Sequence, residues 1–192
     1  MAKKKLAQSV SVKDTWQRIE RWLGEHAKPL AKSLSKGATA DQLQKLEASL
    51  GANLPAEFKQ SLSIHDAQKD DCDFIPDDGI GAFYMLRSKD IPREWKQWNA
   101  LLAMGEFENA KATPEKGIAA GWWNSGWIPF ASNGGGDYLC IDLAPAKGGT
   151  VGQIIRVRHD DPVRDLMAIS FGVWLQGLAE TIENGGIDYF FE

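Results

Sequence analysis

The chain has 192 residues, 43% hydrophobic and 25% charged, which are the proportions of an ordinary globular domain with enough chain to bury a proper core. Its formal net charge is −4, and Lys3, Lys4 and Lys5 sit in an opening stretch (1–11) expected to be a flexible basic tail, so the body (12–192) is more acidic still and repels nucleic-acid phosphates. No apolar run approaches a membrane span or a secretory signal, and Cys72 and Cys140 supply neither a disulfide framework nor a zinc spacing; a reducing cytoplasm is the expected location.

The first predicted helix covers 12–26. Val12, Trp16, Ile19 and Leu23 recur there at helical spacing and form one apolar stripe. A connector with Pro29, Ser33, Ser35 and Gly37 follows. Thr39 and Gln42 then make a capping box that opens a second helix, with Leu43, Leu46 and Leu50 facing inward and Gly51 at its end. Pro55 opens a third helix, where its missing N–H costs nothing, and Phe58 and Leu62 are its core contacts. His65 and Asp66 read as its cap and turn. An acid–base pair is disfavoured because neighbours in sequence do not face each other on a helix and no nucleophile is near.

Beyond an acidic stretch, 79–86 is expected to be a strand. Ser88 is expected to cap a fourth helix lined by Ile91, Trp95, Trp98 and Leu102, and 105–121 to be a long loop or irregular helix. The most legible segment is 127–143: a strand, a glycine turn at 133–137, and a returning strand. Glycines flanked by Asn and Asp supply positive φ, which a hairpin turn needs. The alternative, a phosphate-binding loop, lacks the following Lys-Ser/Thr and helix. A third sheet segment is expected at 152–158, with Ile154 inward and Gln153 outward. Ser170 caps a closing helix whose apolar side is Phe171, Trp174, Leu175, Leu178 and Ile182, ended by Gly185 and Gly186. The order predicts a single α+β domain with a mainly antiparallel sheet, packed by N-terminal helices and a C-terminal helix. Eleven residues are expected in one core: Trp16, Ile19, Leu43, Leu46, Phe58, Leu62, Trp127, Leu139, Ile141, Trp174 and Leu178.

Chemistry is sparse. His26 suits a helix C-terminus electrostatically. His159-Asp160-Asp161 is the best metal candidate, with Asp137 or Asp142 approaching across the sheet, but adjacent acids before Pro162 read more simply as an Asx turn. No nucleophile elbow, paired helical His-Glu motif or dinucleotide fingerprint occurs. No catalytic residue, metal site or cofactor is therefore assigned. Two groups remain as candidates for partner binding. Asp66, Asp70, Asp71, Asp73, Asp77 and Asp78 crowd into one loop-like stretch that could steer a basic protein, or be a solvated loop. Trp122 and Trp123 precede a strand and could form a recognition surface, although both cannot be buried on one face of a sheet.

In this order and spacing the segments 16–23 (WQRIERWL), 37–67, 127–143, 152–160 and 171–185 resemble the SUKH superfamily, which joins Smi/Knr-type cell-wall-assembly regulators to many bacterial toxin-immunity proteins. One departure is Ala67, where the pattern usually has glycine, which puts the left-handed turn there in doubt. The resemblance implies an α+β fold and a non-catalytic role. The leading expectation is an immunity protein whose acidic surface neutralises a basic polymorphic toxin, possibly a nuclease. The alternative is a regulatory or scaffolding protein, and a small metal-dependent hydrolase built on Asp137, His159 and Asp160 is a third reading.

Overall fold

In the computed structural model, residues 11–69, 73–76 and 82–185 are described. The chain opens with α1 (Val12–His26), whose N-cap Ser11 accepts from the Asp14 amide. The expected connector instead holds a short helix, α2 (Lys28–Ser33), started by Pro29 in its first turn. Then come α3 (Ala40–Leu50), with the Thr39–Gln42 capping box and Gly51 at φ 64°, and α4 (Ala56–Ile64) behind Pro55. After β1 (Tyr84–Met85) follow α5 (Ile91–Ala103), β2 (Thr113–Pro114), β3 (Trp127–Ser132), β4 (Tyr138–Asp142), β5 (Gln153–Val157), β6 (Val163–Ala168) and α6 (Phe171–Glu183). The strands form one sheet in the order β1-β3-β4-β5-β6-β2, antiparallel except where β2 runs parallel to β6. Among the described residues no helix is long and apolar enough to cross a membrane.

Both faces of the sheet are covered, so β3 and β4 are buried along their whole length. Strand alternation puts Tyr138 and Leu139 on opposite faces. On one side Trp98 of α5 stacks on Trp123, and both meet Tyr138 edge-on. On the other, Phe58, Phe171 and Trp174 gather around Phe130. All eleven expected core residues are buried in one cluster. Trp16 is fully buried, and its indole N–H donates to Ser61 Oγ at 2.8 Å. Burying a side chain of that size is worth about 4–6 kcal/mol at the usual area coefficient.

Four further expectations are corrected. Ser88 does not cap α5: the N-cap is Asp90, without a side-chain bond, and Ser88 gives its amide and hydroxyl to the two oxygens of Asp66 at 2.6 and 2.9 Å. Only Tyr84–Met85 of the expected 79–86 strand is a named strand, extended by a bridge between Ile75 and Phe83; residues 79–81 lie outside the described set. Gln153 points inward, where its amide donates to Asp142 and to the Gly117 carbonyl. The left-handed turn survives the loss of glycine, with Ala67 at φ 61°. Backbone bonds on both sides, Ser35 N to Ala67 O and Lys69 N to Ser33 O, hold a conformation that costs a non-glycine residue about 1–2 kcal/mol.

Candidate interaction surface

The glycine turn is held by the side chains that flank it. Asn133 Oδ1 accepts from the amides of Gly135 and Asp137 at 2.8 and 3.1 Å, and Ser132 Oγ accepts from Gly134. These donors are engaged, so they form no anion cradle, and the chain continues into β4 rather than a helix. Gly134 and Gly136 have positive φ. Gly136 has a second constraint, because a Cβ there would meet the His159 side chain at 3.1 Å.

His159 lies against that turn from the end of β5. Asp137 Oδ1 accepts from the His159 backbone amide at 2.9 Å and pairs with its Nδ1 at 2.8 Å, while Oδ2 accepts from Asn133 Nδ2. Asp160 comes within 3.9 Å of the same ring nitrogen. The sequence-predicted trio Asp137, His159 and Asp160 therefore does converge. Asp137 is buried and its oxygens are already engaged, and the bond from Asp137 raises the His159 pKa above its ordinary value. This arrangement clasps the turn to β5. Asp142, the other suggested ligand, is buried at the far end of β4 beside Gln153. Asp161 makes the expected Asx turn, accepting from Val163 N at 2.7 Å.

The proposed binding residues separate. Trp123 is 3% exposed and stacked on Trp98, so it packs the interior and offers no surface. Trp122 is half-buried; its ring faces the buried guanidinium of Arg164 at 4.8 Å, and its carbonyl accepts from the same group. It borders a hollow of about 420 Å³ with Leu102, Met104 and Phe107. Asp66 has both oxygens bound to Ser88, which makes it a structural acceptor rather than a free surface charge. Asp73 is exposed. Asp70, Asp71, Asp77 and Asp78 lie outside the described residues.

Sequence reasoning missed a surface between β6 and α6. The register of β6 on β5 slips, with Ile155 opposite Leu166 and Ile154 opposite Ala168, so Met167 is an inserted residue. Such a bulge bends a strand and re-aims its side chains. Met167 is 38% exposed, Ile169 61% and Val173 40%. A groove of about 380 Å³ runs between Met167 and Val173, lined by Ile75, Pro76, Met167, Val173, Trp174 and Gly177, among others. Met and aromatic residues around a concave apolar surface are characteristic of protein-binding sites.

Comparison with known proteins gives one consistent picture. The model of the SMI1 / KNR4 family (SUKH-1) matches residues 37–177. The cell wall biosynthesis/cell cycle regulator smi1 of Schizosaccharomyces pombe is 32% identical over 187 residues, covering 91% of this chain and 36% of that protein. The glucan synthesis regulatory protein of Neurospora crassa is 26% identical, covering 91% and 39% respectively. The cell wall assembly regulator SMI1 of Saccharomyces cerevisiae is 23% identical, covering 88% and 40%. The chain thus spans roughly two fifths of the length of these relatives.

Proposed function

The chain belongs to the SMI1/KNR4 family (SUKH-1), and from that premise we propose that it is a regulatory or scaffolding module of the cell-wall-assembly regulator type, acting in the cytoplasm by binding other proteins. The observation that carries this reading is the alignment, across about nine tenths of the chain, with relatives named as regulators of cell-wall or glucan synthesis. The same names favour this role over the immunity role that the acidic stretch suggested. A binding role rather than hydrolysis is supported by the chemistry of the described groups. The buried Cys140 thiol is pushed well above its ordinary pKa by desolvation, which removes it as a nucleophile.

Cross-linking in the source cells followed by mass spectrometry of the proteins joined to this chain tests the proposal. Components of cell-wall polysaccharide synthesis or its signalling are the expected partners. A secreted basic toxin encoded beside this chain would overturn the regulator reading in favour of immunity.

A further inference from the structure

α6 contains two glycines that behave differently. At Gly172 a Cβ would come within 2.7 Å of the Glu57 carboxylate, which also accepts the Gly172 amide at 2.8 Å. Internal packing therefore accounts for that glycine. At Gly177 a Cβ would meet nothing within 4 Å. Glycine inside a helix is unfavourable relative to alanine, and no contact among the described residues requires it here. Gly177 lines the groove, four residues after the exposed Val173 and four before Thr181, which lines it too. Residues at that spacing share one helix face, so α6 presents a low strip over which another chain can approach closely.

The charged side chains of α6 itself are all acidic. α6 carries Glu180 and Glu183 and no lysine or arginine. Glu183 is paired with Arg18, whereas Glu180 makes no ion pair: its carboxylate accepts from the uncharged Gln176 amide and feels Arg18 only as a nearby charge. On the opposite rim, Asp73 lies two residues before Ile75; desolvation raises its carboxyl, and no described cation offsets it. Asp165 of β6, by contrast, is neutralised by Arg156 and Arg158.

We propose that the β6–α6 groove is the docking site for a short apolar segment of a partner protein that carries lysine or arginine beside its apolar side chains. This rests on the reading of the chain as a protein-binding module and names the chemistry of what it binds. The apolar side chains fill the space between Met167 and Val173, the partner backbone passes over Gly177, and its cations meet Asp73 and Glu180.

The test is selection from a random displayed-peptide library on the purified full chain, followed by affinity measurement with the selected peptides. The expected sequences combine apolar residues with Lys or Arg flanks, and their binding weakens as salt rises. Val173→Asp and Met167→Asp should each weaken binding at least about tenfold. Gly177→Ala should raise the melting temperature by about 2–4 °C yet weaken the same peptides several-fold. Gly24→Ala, at an equally open glycine in the last turn of α1, should leave binding unchanged. A library that yields no binder, acidic binders, or binders indifferent to Val173→Asp and Gly177→Ala overturns the proposal. Such a failure leaves the regulator reading to the cross-linking result, and a toxin found there leaves groove binding measurable on its own.

Discussion

The glycine-turn tip and the β6–α6 groove show opposite relations between a surface and the chain that makes it. At the tip, the Asn133, Asp137 and Ser132 side chains are bound within the chain, and His159 closes over Gly136. In the groove, Met167 and Val173 are left partly to solvent and no described residue fills the space above Gly177. A site completed from within is a structural device even when its residue types suggest chemistry. A surface left incomplete is where a partner has something to add.

The largest test of this contrast is at the floor of the groove. Trp174 belongs to the Phe58, Phe130 and Phe171 cluster, so Trp174→Ala should cost about 3–5 kcal/mol in urea unfolding, as other large core truncations do. An unchanged midpoint would mean that the floor is not core. Next comes the tip. Gly136→Ala puts a methyl group on a backbone at φ 106° and against the His159 ring, and should cost about 2–3 kcal/mol by the same assay. If it is tolerated, the turn is looser than the clasp requires.

A smaller effect follows from the raised pKa of His159. A folded-state value above the ordinary ~6.5 means the protonated ring is favoured by folding. The stabilisation is complete below that value and is lost as pH rises through the higher folded-state pKa. The side chain is 46% exposed, so solvent screening holds the contribution under about 1 kcal/mol. The stability difference between the parent and His159→Ala should shrink from about pH 6 to about pH 9. A difference that grows with pH would contradict the clasp. The smallest effect is expected on the rim: Met167→Thr and Val173→Thr should each shift unfolding by no more than about 0.5 kcal/mol, as is usual for surface substitutions. Larger losses would make the rim part of the core.

Much of the scaffold was legible in sequence because its signals are local. The stripe of α1, the Thr39–Gln42 box, the Ser170 cap and the 127–143 hairpin each depend on residues a few positions apart. α2 was missed because six residues give too little periodicity. β6 was missed because its paired Arg and Asp and its inserted Met167 break the alternation that marks a strand. Gln153 was misplaced because alternation says which residues share a face, but not that both faces are covered. Trp123 was open for the same reason, and α5 covers the face it packs on. The Asp137–His159 meeting was anticipated, though its meaning depended on which atoms were already bound. The groove had no local signature, since Ile75, Met167 and Val173 come from three elements.

The central claim is tested most directly by methyl NMR of the labelled chain, titrated with a selected peptide that carries apolar residues and Lys or Arg flanks. The account predicts that the methyl resonances of Ile75, Met167 and Val173 shift on binding, while the His159 ring signals stay in place. Shifts confined to His159 and its neighbours, or to Met104 and the Trp122 hollow, would contradict it.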